Sequence, residues 1–420
     1  MHSIPRVWSA LLALVLAFTT VATASTQAEG EYEEINQQME EIRELELLQP
    51  INVSTKTRSE LQDETRQDLE TDYPILDRQN DQRVLEAFGL IDEDQEIGEV
   101  YVELLGEQIA GYYDPETDEM VVVSDDAAGS ELSASNEVTY AHEVVHALQD
   151  QHFDLESYSD QRIEGSDDES LAITSLIEGD ATAAQIQYII ANPGLIAELS
   201  GDMDAIDAGS EALDTAPQII SATLLFPYRQ GQTFVDAILA EEGWDAVNDA
   251  YASPPVSTEQ ILHPEKYLAG ELPVAVPMPN IAEGLGTGWT TFDTNTMGEF
   301  QISVILSDGE VSARQAEQAA AGWGGDTYTV VGTEDQNVIA WNSVWDTEDD
   351  AAEFAAALAA RESGRLDASA ETDGTVTTID SGDTVVRIGV DGTSVTYASA
   401  PDETVLAQVD ELQAAATPVP

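Results

Sequence analysis

The sequence predicts an α+β protein of two units. Three observations carry that prediction: helix-periodic segments interrupted by one short hairpin, a Pro-rich stretch from His263 to Gly284 that marks a boundary near 285–295, and a C-terminal part dominated by strand-like alternation. The larger unit, 25–290, is expected to carry a hairpin, one helix bearing histidines and a mainly helical remainder. The smaller, 291–412, is expected to be an accessory α+β lobe, with 413–420 as a disordered tail.

Residues 1–24 read as a signal peptide. Arg6 precedes an apolar run from Val7 to Val21, and Ala22-Thr23-Ala24 forms a small-x-small cleavage site. The run falls short of the ~20 residues of a comfortable span, so removal after Ala24 is expected, with an uncleaved anchor as the alternative. Nothing later is apolar enough to cross a bilayer. The mature chain is therefore expected to be exported, with no stable membrane insertion. Cysteine is absent, which excludes disulfides and a lipid-modified cysteine.

"EGEYEEINQQMEEIRELELL" (Glu29 to Leu48) reads as an acidic helix, "INVSTKT" as a strand and "SELQDETRQDL" as helix again. "DRQNDQRVLEAFGLI", ending near Gly89, and "EIGEVYVELLGEQ" are two further helices. In "IAGYYDPETDEMVVV", short strands flank Asp114-Pro115-Glu116-Thr117, a hairpin signal. A helix follows from about Asn136 to Asp150, with Ser135 or Asn136 as cap. Another opens on the capping box Ser166-Asp167-Asp168-Glu169 and stops at Asn192-Pro193-Gly194. "QTFVDAILAEEGWDAVNDAYA" adds more helix before the Pro-rich break. Beyond it, helices around Phe300–Leu306 and Ala313–Ala321 end in the breaker "GWGGD". Strands at "TYTVV", "NVIAWNSVW", "TVVRIGV" and "TSVTYAS" alternate there with helix at "TEDDAAEFAAALAARE" and a last short helix.

The chain has 82 acidic against 14 basic side chains, a net charge of -68, and its only lysines are Lys56 and Lys266. Such self-repulsion is unfavourable at low ionic strength. Molar salt shortens the Debye length to about 3 Å and removes it. An acidic surface adapted to a salt-rich extracellular setting is the expectation, with a basic ligand or cation-rich wall as the alternative. Nucleic acid is an unfavourable partner, because phosphate contacts require Lys and Arg.

"TYAHEVVHALQDQHF" (Thr139 to Phe153) concentrates three of the five histidines. On a helix, i and i+4 share one face, so His142 and His146 can grip one ion. Glu143 lies about 100° round the axis, beside the site, where a carboxylate can accept a proton from water. This is the physical content of H-E-x-x-H. Ala141, Val144, Val145 and Leu148 form the opposite, apolar face.

A catalytic zinc commonly takes a third protein ligand. His152 has the spacing of H-E-x-x-H-x-x-G-x-x-H, but Gln149 stands where that motif has Gly. On an unbroken helix His152 lies about 15 Å beyond His142 along the axis. Glu178, in "SLIEGDAT" on the second long helix, is the better third ligand, and Gly179 beside it permits close approach of another element. Asp180 lies about 200° from it, and so orients a neighbour or meets solvent. Asp150 either orients an imidazole or belongs to a solvated face.

"HEVVHALQDQHFDL" followed by "LIEGDAT" resembles the zincin metallopeptidases of gluzincin type. More narrowly, with "GEQIAGYYDPET", "FPYRQGQTFV" and "STEQILHPEKYLAGE", the chain resembles poorly characterised exported bacterial and archaeal proteins, from about Leu104 to Pro273. The resemblance implies a zincin-like domain with a small sheet, Zn2+ held by His142, His146 and Glu178, and Glu143 as general base. It also implies that the upstream hairpin offers an edge strand to an extended peptide or protein substrate. An oxyanion donor is sought among His263, Tyr267, Tyr228 and Arg229, with His263 and Tyr267 named first. The expected activity is secreted, zinc-dependent peptide hydrolysis; the alternative is a non-proteolytic surface or binding protein on the same scaffold.

Overall fold

A computed structural model describes residues 26–92, 95–108, 111–115, 117–123, 132–158, 166–201, 211–309 and 311–415. The expected signal peptide (1–24) and residues 416–420 of the expected tail lie outside these. The protein is α+β, with one three-stranded and one seven-stranded sheet.

The N-terminal part contains α1 (Thr26–Arg43), β1 (Asn52–Lys56), α2 (Arg58–Asp72), α3 (Ile75–Phe88), α4 (Ile97–Gln108), β2 (Gly111–Asp114) and β3 (Glu119–Val123). Helix α3 stops at Gly89, whose φ of 68° allows its N–H to turn back to the last carbonyls. The small sheet has the order β1-β3-β2, with β1 parallel to β3 and β2 antiparallel to it. The hairpin strand β2 therefore forms one edge, and the strand that completes the sheet comes from far upstream.

Helix α5 (Ala134–Phe153) carries the histidines. Its cap is Ser133, whose hydroxyl accepts from the Asn136 N–H, two residues earlier than expected. Ala134 is buried in the core and draws the first turn into the helix. Nothing in Gln149-Asp150-Gln151 interrupts the helix, which ends only where Asp154 takes a φ of 59°. Helix α6 (Asp167–Ala191) starts as the capping box predicts, with Ser166 accepting from the Glu169 N–H at 3.1 Å. It is buried along most of its length, between α5, α1 and the long helix Gln218–Glu242.

Then come α7 (Pro193–Gly201), α8 (Glu211–Thr215), α9 (Gln218–Glu242), α10 (Trp244–Ala252), α11 (Thr258–Leu262), α12 (Pro264–Ala269) and α13 (Ile281–Leu285). The stretch expected as continuous helix after residue 231 breaks at Gly243, whose φ is 73°. Helices α6 and α9 cross glycine on glycine. A Cβ at Gly179 would stand 2.2 Å from the Gly231 carbonyl carbon, and one at Gly231 only 2.1 Å from the Ser175 oxygen. The two backbones meet without side chains between them.

The C-terminal part comprises β4 (Thr290–Asn295), α14 (Gly298–Ser307), α15 (Ala313–Ala320), β5 (Trp323–Gly332), β6 (Asn337–Trp345), α16 (Glu348–Leu366), β7 (Ala370–Asp373), β8 (Val376–Asp380), β9 (Val385–Asp391), β10 (Ser394–Ala400) and α17 (Glu403–Ala415). Helix α17 reaches Ala415, so residues 413–415 are helical rather than part of a tail. The antiparallel order is β4-β5-β6-β10-β9-β8-β7. Both faces are covered. Ile339 and Trp341 pack with α14, α15 and α16, while Val338 and Ala340 pack with α13 and α17. That explains why β6 reads as an almost uninterrupted apolar run.

"GWGGD" is not a break between elements: β5 begins at Trp323, with an irregularity in register between Trp323 and Gly325. Nor are the cores of the two parts wholly separate. Val84 and Phe88 of α3 enter the core of the larger sheet, where Phe88 meets Tyr328 edge-on at 5.7 Å. Lys266 of α12 ion-pairs with Glu259 at 2.7 Å, Glu271 at 2.8 Å and Asp346, just past β6, at 2.8 Å.

Gly231→Ala is expected to force α6 and α9 apart and to destabilise the fold by about 1–3 kcal/mol, the usual range for overpacking, read as a lowered midpoint in urea unfolding.

Candidate metal centre

Two turns of α5 and the middle of α6 bring three donors together. His142 Nε2 lies 3.1 Å from Glu178 Oε2 and 3.1 Å from His146 Nε2. His146 Nε2 lies 3.4 Å from the same Glu178 oxygen. His142 and Glu178 are buried and His146 is partly so. Tetrahedral zinc with bonds of ~2.0–2.2 Å has its donors roughly 3.3–3.5 Å apart, so this triangle has the size of one face of such a site. Two imidazole nitrogens and a carboxylate oxygen form a donor set that could hold a divalent ion of this kind.

Glu143, the next residue after His142, is buried and accepts a hydrogen bond from the Tyr113 N–H of β2 at 3.0 Å. Burial raises its carboxyl above the ordinary range, against the pull of the two imidazoles. Burial also acts to raise Glu178, but there the imidazoles of His146 and His142 prevail and its carboxyl is lowered. The two acids therefore separate: one is held as an anion among the donors, and the other has enhanced proton affinity.

Tyr113 joins edge strand to helix at two points. Besides the bond from its N–H to Glu143, its hydroxyl donates to Asp150 Oδ2 at 3.0 Å. Asp150 also accepts the Leu155 N–H at 3.0 Å. It thus neither orients an imidazole nor lies on a free solvated face.

The other named residues are placed as follows. His152 is exposed, with Nε2 2.8 Å from the Glu46 carbonyl oxygen, outside the donor triangle. His263 Nε2 is 2.9 Å from Glu299 Oε1, and the Tyr267 hydroxyl donates to the Ser253 carbonyl at 2.8 Å. The Tyr267 ring meets Phe234 of α9 edge-on at 5.2 Å, and neither His263 nor Tyr267 belongs to the donor cluster. Tyr228 of α9 is the one that reaches it. Its ring lies 6.1 Å from that of His142, and its hydroxyl hydrogen-bonds Glu178. Although the residue as a whole is partly exposed, desolvation of its hydroxyl, then the charges of Glu178 and Glu143, raise its pKa well above the usual phenol value. Arg229, beside it, is exposed.

Gln149 is the residue whose part the sequence reading did not foresee. It is fully buried, with Oε1 2.8 Å from His146 Nδ1. Its position i+3 from His146 on a helix was the available signal. Asp180 faces the same network and pairs with the buried Arg43 of α1 at 2.7 Å.

Comparison with known proteins adds the following. The family described as a domain of unknown function (DUF8575) matches residues 288–410, the unit of the seven-stranded sheet, and does not extend to the donor triangle. No curated protein matches the chain. Among solved structures, a protein from Chloroflexus aurantiacus, provisionally described as a hydrolase with a novel fold, aligns at 15% identity with a TM-score of 0.32, over 62% of this chain and 95% of that one. A likeness of that degree decides neither fold nor chemistry.

Glu178→Ala is expected to reduce bound zinc from about one equivalent to a trace, whereas His152→Ala leaves it unchanged. Metal analysis after dialysis at matched zinc activity measures both.

Proposed function

We propose that the chain is a zinc-dependent metallopeptidase that works outside the cell. The observation that supports this best is the triangle of His142, His146 and Glu178 donors beside a buried Glu143 tied to the edge strand β2. His142, His146 and Glu178 would hold the zinc, which would supply Lewis acidity towards water and a carbonyl.

The protein's own groups do the rest. Glu143 accepts the proton of the attacking water and delivers it to the departing amine. Its burial, which raises its proton affinity, suits both halves of that task. The Tyr113 N–H fixes one Glu143 oxygen, leaving the other to turn towards water. Tyr228 is the donor for the oxyanion, since its ring lies 6.1 Å from that of His142 and its hydroxyl hydrogen-bonds Glu178.

The substrate is an extended peptide. Tyr113 directs its N–H away from β3, so by the two-residue period of a strand Gly111 presents its N–H and C=O to the same open side. Backbone pairing along β2 would place a scissile bond over the donor triangle with little demand on side-chain identity. Export rests on the signal-like residues 1–24, and a salt-rich setting on the net charge of -68.

Two substitutions test the assignment on a fluorogenic peptide mixture at high salt. Glu143→Gln is expected to keep its zinc and lose roughly 100- to 10,000-fold in turnover. Tyr228→Phe is expected to lose roughly 100-fold in kcat with KM little changed. Zinc-loaded native protein that cleaves no peptide would overturn the peptidase reading.

A further inference from the structure

We propose that Gln149 is a positioning residue that sets the tautomer of His146, and that the buried Arg43–Asp180 pair sets the orientation of Gln149. The inference rests on the metal-centre reading for its purpose, but its hydrogen-bond logic stands independently.

The direction of each bond follows from the one before it. Asp180 is wholly buried, and its oxygens accept from Arg43 Nε at 2.7 Å, Arg43 Nη2 at 3.1 Å, the Tyr251 hydroxyl at 2.8 Å and Gln149 Nε2 at 3.0 Å. A guanidinium can only donate, so the side of Asp180 facing Arg43 is an acceptor. Gln149 Nε2 also donates to the Ile177 carbonyl at 2.9 Å. A reversed amide would set its oxygen against two acceptors, Asp180 Oδ2 and Ile177 O, in a site without solvent. Both amide hydrogens are therefore engaged, and Oε1 is left to accept.

At 2.8 Å from Oε1, His146 Nδ1 must carry the hydrogen. In the neutral ring Nε2 then carries the lone pair, and it faces His142 and Glu178. The usual orienting partner of a metal-binding imidazole is a carboxylate, a carbonyl or water. Here a neutral amide stands between the imidazole and the anion. It conveys the acceptor character of Asp180 without placing a second negative charge against the ring. Through Arg43, which also stacks over Trp244 at 4.4 Å, the N-terminal helix becomes part of the centre although it supplies no ligand.

Two measurements decide the matter. In long-range 1H–15N spectra of the native full chain with labelled histidine, His146 Nδ1 should be protonated both without metal and with zinc. A His146 found unprotonated at Nδ1 in either state overturns the proposal, whether or not any variant folds. In competition with a chromophoric chelator, Gln149→Met should bind zinc about 10- to 100-fold more weakly than the native protein. Its metal-free melting temperature should shift by a few degrees at most. Unchanged zinc affinity, or a loss no larger than the metal-free destabilisation explains, overturns the positioning role. A native protein that shows the protonated Nδ1 but binds no divalent metal sinks the metal-centre reading and leaves the assigned tautomer standing.

Discussion

Three consecutive residues of α6 point at three neighbours, and the architecture around the donor cluster depends on that divergence. Glu178 faces the two imidazoles, Gly179 meets Gly231 of α9, and Asp180 turns to Arg43 of α1. A helix advances about 100° per residue, so three successive positions can serve three different packing partners only if the helix is surrounded. Helix α6 is surrounded, which is why so polar a segment as Glu-Gly-Asp lies at the centre of the protein. The glycine contact fixes the separation of α6 from α9 and thereby brings Tyr228 against Glu178. Any side chain at that crossing would push the phenol and the carboxylate apart.

Basic residues are rare in this chain, and several of them are interior. Arg43 and Arg361 are almost wholly buried, and Lys56 is also buried. Lys266 sits among three carboxylates drawn from both parts of the molecule. Pairs removed from solvent are little affected by ionic strength, whereas the repulsion of an acidic exterior is strongly screened by it. Added salt would therefore relieve the exterior while leaving the internal pairs intact. The carboxylates of Glu259, Glu271 and Asp346 are already neutralised by a cation of the chain's own, the Lys266 ammonium that meets all three.

Much of the candidate site was legible before any coordinates. The i, i+4 histidines needed only an unbroken helix, and Gln149 in place of a glycine correctly argued that the helix would run on and carry His152 away. Glu178 was legible as a carboxylate on a second long helix. The donor expected from His263 or Tyr267 was not legible, because an oxyanion donor has no fixed spacing from the metal residues. Its choice depends on how α9 crosses α6. The same holds for the pairing of β1, read as a strand but joined to one more than sixty residues later, and for β7 and β8, which are short and largely polar-faced and so lack the alternation that marks a half-buried strand.

What the sequence alone determined is what repeats along a single element: the face shared by His142 and His146, the capping box at Ser166, the acidic balance and the alternation of the central C-terminal strands. These follow from backbone periods of 3.6 and 2 residues, which act over one or two turns. The tertiary structure alone decided which faces meet. It brought Gln149 between His146 and Asp180, put Tyr228 rather than its rivals beside Glu178, and sent Val84 and Phe88 into a core built mostly from residues beyond 290. The reason is physical: local periods specify where a side chain points on its own helix or strand, but the partner at the other end is chosen by close packing among segments far apart in the chain.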